Sequence, residues 1–177
     1  MNKAVTLMEL IIAISLMGII ILGVTSFDFG SRQMFKSSER KTQVMNEAAL
    51  IMDHIAKDTI IAIGDVDHPA INVASPAIDP STIVIQQDSN LNGVLDSASD
   101  VTVTYTRSGN QITRTEGTSA AEVLSNRATN FTASAPSGNS VEILLQLMYN
   151  TTASENHIDN PKVTIQSSVE APAWSVN

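Results

Sequence analysis

The residues best placed to do chemistry lie in the segment 88–100, where acidic and amide side chains alternate. Its first six residues match the D-x-N-x-N-G start of a calcium-binding loop, in which Gly93 permits the sharp turn. Asp96 follows at the ninth position, but the twelfth holds Ser99 in place of the usual glutamate. The ligands of this predicted calcium site are the side chains of Asp88, Asn90, Asn92, Asp96 and Asp100 and the carbonyl of Val94. The alternative is a polar connection rich in Asx turns.

The histidines and serines offer little further chemistry. His54, His68 and His157 are far apart in sequence, and none lies in a zinc-binding or triad motif. No serine lies in a Gly-x-Ser-x-Gly elbow, and the chain has no cysteine, which excludes thiol catalysis, cysteine metal sites and disulfides. We therefore predict that the protein is not an enzyme, and that its histidines are ordinary surface or rim residues.

One carboxylate is unusual because of its position. Glu9 lies just inside an apolar run that has no charge from Leu10 to Thr25. An ionised side chain within a membrane costs roughly 3 kcal/mol or more unless it is paired. Glu9 therefore either lies at the headgroup level, near the positive end of the helix dipole, or awaits a cationic partner from another chain.

The elements that must position these residues begin with a long helix. The apolar run approaches the roughly 20 residues that span a bilayer. Residues 27–31 are a candidate break, after which an apolar stripe recurs at helical spacing as far as about Ile63. The stripe consists of Val44, Met45, Ala48, Ile51, Met52 and Ile55. A continuous helix from Val5 to Ile63 would be about 90 Å long, so its first half must project from any compact domain.

Residues 64–177 carry the alternating pattern of β-strands. Strands are predicted around 82–85, 101–106, 141–149 and 163–169, the third of them central in its sheet because both of its faces are apolar. Ser108-Gly109-Asn110 predicts a turn, so that 101–116 forms a hairpin. Together with the helix, these strands predict an α+β protein in which a long N-terminal helix packs on an antiparallel sheet.

Two further predictions concern this half of the chain, a short helix and a tryptophan that shields the sheet. Ser119 and Glu122 have the spacing of a capping box, which predicts a short helix to about Asn126. Trp174, near the end of the chain, is expected to cover the sheet.

Charge and size indicate one small exported domain. Residues 1–62 contain six Lys/Arg and six Asp/Glu, whereas residues 63–177 contain four and twelve. The acidic second part repels a phosphate backbone, so no nucleic-acid partner is expected. Lys3 is the only charge before the apolar run, which favours a cytoplasmic N-terminus with the rest of the chain outside.

The N-terminal sequence resembles a known signal. Lys3-Ala4-Val5-Thr6-Leu7-Met8-Glu9, followed by an apolar helix, resembles the class III signal of type IV pilins and pseudopilins. In that family a short basic leader is removed, the new N-terminus is methylated, and a glutamate pairs with the N-terminal amine of a neighbouring subunit. The resemblance implies a 1–4 leader, cleavage between Ala4 and Val5, methylation of Val5, and an assembly ion pair at Glu9. Ala4 and Val5 differ from the usual Gly and Phe.

The resemblance also implies partners and a division of the chain. The partners would be a prepilin peptidase, other pilin or pseudopilin subunits, and an inner-membrane assembly platform. Residues 5–30 would be the transmembrane and assembly half of the helix, 31–63 the amphipathic half that packs on the head, and 64–177 the head. The order of elements in the head looks like the W-type minor pilins and the J-type pseudopilins of type II secretion.

Three functions remain open. The first is a structural subunit of a type IV pilus or related filament in the bacterial inner membrane. The second is a pseudopilin of a type II secretion system. The third is a single-pass anchored binding module, against which the leader and Glu9 argue.

Overall fold

The computed structural model describes residues 6–65, 68–74, 77–79, 81–93, 95, 100–137 and 139–172. A single helix, α1, spans Leu7–Ile60 and precedes all the strands of this part of the chain. The strands are β1 (Ile71–Ala74), β2 (Thr82–Gln87), β3 (Val101–Ser108), β4 (Gln111–Glu116), β5 (Glu122–Ser125), β6 (Ala128–Ser137), β7 (Ser140–Met148) and β8 (Lys162–Glu170).

The helix is continuous over 54 residues, or about 80 Å. The candidate break at residues 27–31 is therefore wrong. Gly18, Gly23 and Gly30 are all accommodated within the helix, and no proline interrupts it. A glycine costs a helix only about 1 kcal/mol relative to alanine, which the many intact backbone bonds on either side outweigh.

The strands form two antiparallel sheets. One is five-stranded in the order β1-β2-β3-β4-β5, and the other is three-stranded in the order β6-β7-β8. Neighbours in sequence are neighbours in each sheet, as short connections favour. The long N-terminal helix with antiparallel sheets packed against it confirms the predicted α+β class.

The helix packs on the head through one face of its second half. Its buried apolar side chains are Val44, Ala48, Ile51 and Ile55, and they lie mainly against β7 and β8. Met52 is half-buried, whereas Met45, which the sequence placed in the same stripe, is 55% exposed. The prediction for Met45 is wrong because, at 3.6 residues per turn, Met45 lies about a quarter of a turn from the centre of the buried face. Truncating Ile51 to alanine should cost about 2–5 kcal/mol.

The predicted hairpin and the two late strands are confirmed. β3 pairs with β4 in register from Val103–Glu116 to Ser108–Gln111, and Gly109 in the turn has a φ of 58°. β7 is central in its sheet, and its inward side chains Val141, Ile143, Leu145 and Leu147 are buried. The strand ends at Met148, one residue before Tyr149, which the sequence included. Trp174 lies outside the described residues.

The prediction of a short helix at 119–126 is wrong. Residues Glu122–Ser125 form strand β5, which pairs with β4 through Thr113–Val123 and Arg114–Glu122. A single helical turn is costly to nucleate, because several residues are fixed for one hydrogen bond. The open edge of β4 instead offers backbone partners to every second residue of the segment.

Strand β6 is an edge strand of the three-stranded sheet. Its outer edge is covered by side chains of the loop between β1 and β2, because the Asp79 carboxylate accepts from the Phe131 N–H (2.9 Å) and the Ser81 Oγ from the Ala133 N–H (3.0 Å). In return, the Ser81 N–H donates to the Phe131 carbonyl (2.9 Å) and the Ala77 N–H to the Ala133 carbonyl (2.7 Å). Side chains thus replace part of the backbone ladder at this edge.

Candidate functional site

The helix begins with a capping box. The Thr6 Oγ1 accepts from the Glu9 N–H (3.3 Å), and the Glu9 carboxylate accepts from the Thr6 N–H and the Thr6 hydroxyl, both at 2.9 Å. The Glu9 carboxylate therefore lies over the positive end of the helix dipole. This arrangement agrees with the alternative in which Glu9 lies near the positive end of the helix dipole. It leaves the predicted pairing with another chain untested.

The apolar segment that follows is not buried by the rest of the protein. Its large side chains from Leu10 to Val24 are 50% to 69% exposed. Ser15 and Thr25 donate their hydroxyls to the carbonyls of Ile11 and Ile21, at 2.8 and 3.0 Å, so their polar groups are satisfied within the helix. Within the described residues, one helix is long and apolar enough to cross a membrane. This suggests a single-pass membrane anchor.

Polar contacts join the helix to the loop between β7 and β8. Ser37 donates to the His157 carbonyl (2.9 Å), and Arg40 donates to the carbonyl of Asp159 (2.7 Å). The guanidinium of Arg40 also lies 5.2 Å from the centre of the Tyr149 ring. These contacts hold the loop that follows β7 against the helix.

The same ring also takes part in the link from the helix to β6. Arg127, just before β6, lies 5.1 Å from the Tyr149 ring centre and forms an ion pair with Glu47 of the helix (3.1 Å). Cation–π contacts of this kind contribute about 0.5–2 kcal/mol each. The position of the head along the helix is thereby fixed at several points between residues 37 and 47.

A buried ion pair joins the end of the helix to the five-stranded sheet. Asp58, 8% exposed, accepts two hydrogen bonds from the guanidinium of Arg114 on β4, at 2.8 and 3.0 Å. The Tyr105 hydroxyl of β3 donates to the same carboxylate. Gln87 of β2 donates to the Asp58 carbonyl (3.4 Å), and Arg114 also pairs with Glu116 (2.9 Å).

The charges in this cluster stabilise one another. Burial alone would raise the pKa of Asp58, but the hydrogen bonds from Arg114 and Tyr105 outweigh it, so that the pKa lies below its ordinary value. The bond to Asp58 raises the pKa of Arg114, and burial together with Asp58 raises that of Tyr105. Asp58 is thus held charged and Tyr105 neutral, which suits a structural link better than proton transfer.

The predicted calcium loop is organised by its first residue. Asp88 is fully buried, and its carboxylate accepts from the backbone N–H of Asn92 (3.1 Å) and of Gly93 (2.7 Å). The Asn90 side chain also accepts from the Asn92 N–H (2.9 Å), and the Asp100 carboxylate accepts from the Ser89 N–H (3.3 Å). These are the Asx-turn contacts of the alternative interpretation.

The metal itself stays a prediction. Val94 and Asp96 lie outside the described residues. Within the part of the chain that the structure describes, no three acidic or histidine side chains are grouped so that they could hold a metal ion. A cleft of about 410 Å³ lies beside the loop, lined by Asp65, His68, Gln86, Leu95, Asp100, Val101 and Thr102. In it the His68 Nδ1 lies 3.1 Å from the Asp65 carboxylate, and both side chains are partly exposed.

The residues of the predicted leader cannot be compared with this geometry. Ala4 and Val5 lie outside the described residues, and Glu9 is the first site residue that is described. No local spacing could indicate the Asp58 cluster, because its members come from α1, β2, β3 and β4. An inward-facing arginine within the alternating pattern of β4 was the one available sign, since buried arginines are almost always paired.

The chain was compared with protein families, curated proteins and solved structures. No family model, no curated protein and no solved structure matches the chain. The resemblance to pilins therefore rests on the N-terminal residues and on the shape of a long apolar helix joined to an antiparallel head.

Proposed function

We propose that the protein is a structural, minor-pilin-like subunit of a type IV pilus or related filament. It is inserted in the bacterial inner membrane by its N-terminal helix, with the head outside, and is assembled through the same helix after removal of residues 1–4. Its partners are other pilin or pseudopilin subunits, a prepilin peptidase and an inner-membrane assembly platform.

The observation that supports this proposal is the uncovered first half of α1. Residues 10–24 are apolar and exposed, and the first buried side chain of the helix is Val44. Such a segment is stable only in lipid or among other apolar helices. An anchor needs the lipid alone, whereas a filament subunit must exchange lipid for neighbouring helices. The carboxylate of Glu9 at the start of the segment favours a filament subunit over a simple anchor.

The physical role of Glu9 follows from that exchange. When the helix leaves the headgroup region, the Glu9 carboxylate loses water, and a charge in an apolar surrounding is costly unless it is paired. The methylated amine of Val5 in a neighbouring subunit is a cation that could pair with it. The ion pair would then select copies placed at the correct height for assembly.

Two other functions are distinguished by their partners. A pseudopilin of a type II secretion system would use the same helix and the same ion pair, but would assemble with secretion components. A single-pass anchored binding module would need neither processing nor a charge at Glu9.

The test separates the charge of Glu9 from its role as a helix cap. Glu9→Gln keeps an acceptor for the Thr6 N–H, as glutamine also serves in a capping box, but removes the charge. We expect this variant to reach the membrane fraction at the parent level and to be lost from sheared filaments or cross-linked complexes. Glu9→Ala, which removes both, should show the same loss.

Thr6→Val is the matched control. It removes the hydroxyl that caps the helix but keeps the carboxylate, so it should enter filaments. Normal incorporation of Glu9→Gln would contradict the proposed ion pair and favour the anchored module. Exclusion of all three variants would assign the defect to the helix start and not to the charge.

A further inference from the structure

The section of α1 between the apolar segment and the head carries large side chains that face solvent. Phe27, Met34 and Met45 are 78%, 75% and 55% exposed. From Thr25 to Gln43, just before the first buried residue, the helix extends about 28 Å at 1.5 Å per residue. Neither lipid nor the head covers these apolar groups over most of that length.

These side chains share one side of the helix. With 3.6 residues per turn, residues three, four or seven apart face the same way. We call this set the uncharged stripe: Phe27, Ser31, Met34, Ser38, Met45 and Ala49. Large apolar residues alternate in it with small ones, and small residues allow the backbone of a second helix to approach closely.

The uncharged stripe is accessible to another helix beside the head. The face that packs on the head is centred on Val44, Ala48, Ile51 and Ile55. From the helical repeat, that face lies about a third of a turn from the uncharged stripe. A second helix lying along the stripe therefore runs beside the head of the first copy, at a cleft of about 500 Å³ that Met34, Ser38 and Ile158 of the head help to line.

Two copies anchored in one bilayer present their stripes at the same height, because the apolar segment fixes the depth of each helix. We propose that the chain forms a parallel, in-register dimer in the membrane, with the uncharged stripe of one copy against that of a second copy. The dimer rests on the proposed membrane insertion but does not require a filament.

Charge on either side of the stripe supports a second copy as the occupant. Glu39 and Lys41 flank it on opposite sides, and neither forms an ion pair within the described part of the chain. In a parallel two-fold pair, each flank faces the opposite flank of the other helix. Glu39 of one copy then faces Lys41 of the second, and the reverse pair forms by symmetry. Flanking charges of this kind set partner choice and orientation in helix pairs.

The absence of cysteine from the chain makes disulfide cross-linking a direct test. The full chain carrying Met45→Cys is reconstituted alone in phospholipid vesicles and oxidised. Gln43→Cys is the matched control, because Gln43 is exposed and lies on the other side of the helix. We expect a disulfide dimer of Met45→Cys and only collisional background for Gln43→Cys. Equal cross-linking of the two variants would overturn the dimer.

A charge reversal tests the pairing itself. In the Met45→Cys chain, Glu39→Lys or Lys41→Glu should lower the cross-linked fraction, and the double reversal should restore it. Cross-linking of Met45→Cys only to a second chain that carries Phe27→Cys would show a staggered contact and overturn the in-register dimer. A chain that does not float with the vesicles would contradict membrane insertion, whereas loss of the cross-link in floating vesicles contradicts the dimer alone.

Discussion

The carboxylate of Asp58 is the most constrained charge in the described part of the protein. Three side chains contact it or its carbonyl, and they come from three different strands. Because a buried ion pair must offset the desolvation of both charges, it contributes little net stability, yet removal of one partner leaves the other charge uncompensated. The cluster thus fixes how the end of α1 meets the sheet.

Replacing Asp58 by asparagine should destabilise the head strongly. Asp58→Asn leaves Arg114 with Glu116 alone, and a loss of about 3 kcal/mol in the free energy of unfolding is expected. Chemical denaturation of a chain lacking residues 1–30 measures it, because every buried apolar side chain among the described residues lies at or beyond Val44. Asp53→Asn is the matched control. Asp53 pairs with Lys57 on the same helix but is half exposed, so its loss should cost less than about 1 kcal/mol.

The effect of Asp58 should also depend on pH. The pKa of Asp58 is lower in the folded protein than in the unfolded chain, where it is about 3.9. Its stabilisation is therefore complete above the unfolded value and is lost as the pH falls through the folded one. The difference in unfolding free energy between parent and Asp58→Asn should shrink below about pH 4. A difference that stays constant down to pH 2 would contradict this role of the charge.

At the scale of elements, the strength of the local pattern decided which parts could be predicted. Most of α1 was predictable because a continuous apolar run and an apolar stripe at helical spacing follow one another without proline, but the break expected at 27–31 is absent. β7 was predictable because apolar residues alternate along its whole length. β6 has mostly small and polar residues, and only Ala128, Phe131 and Ala133 are buried, so its alternation is weak. β5 carried a helix signal that the free edge of β4 overrode.

The same limit applies to the candidate sites. Glu9 could be identified because a charge in an apolar run can be recognised from the sequence alone. The capping box with Thr6 lies in the same short stretch, since Thr6 and Glu9 have the three-residue spacing that such a box requires. The Asp58 cluster depends on contacts between residues about 30 to 60 positions apart, which no local spacing reveals.

The loop at 88–100 belongs to the scale of elements, because its conformation decides whether it can bind a cation. Calcium sites in extracellular modules bind at about 10⁻⁴–10⁻³ M, so millimolar calcium would stabilise the head by about 0.4–1.4 kcal/mol. We expect the chain lacking residues 1–30 to fold without metal and to melt at a higher temperature with calcium. Thermal melts with calcium and with chelator measure this difference.

The variants for this test follow from the contacts of Asp88. Asp88→Ala removes the acceptor for two backbone N–H groups, so it should melt earlier with or without calcium. Asp96→Asn should abolish only the response to calcium. Coincident melts of the parent under the two conditions would leave an Asx-turn loop without metal as the better account.

At the scale of the whole molecule, the chain has a projecting apolar helix and a head whose core needs none of it. That division allows processing at the N-terminus without any effect on the fold of the head. Because the motif at Lys3-Ala4-Val5 resembles a prepilin leader, the mature protein should begin at methylated Val5. Intact mass of the membrane-extracted protein shows the loss of residues 1–4 and the added methyl group. Retention of residues 1–4 in assembled filaments would contradict the filament proposal.

The cover on the outer edge of β6 has a consequence for crowded copies of this protein. An uncovered strand edge can recruit an identical strand from another molecule, and this is a common start of aggregation. Here the side chains of Asp79 and Ser81 occupy the N–H groups of Phe131 and Ala133 that an incoming strand would need. Many heads can thus be concentrated at one membrane surface without strand pairing from molecule to molecule at the β6 edge.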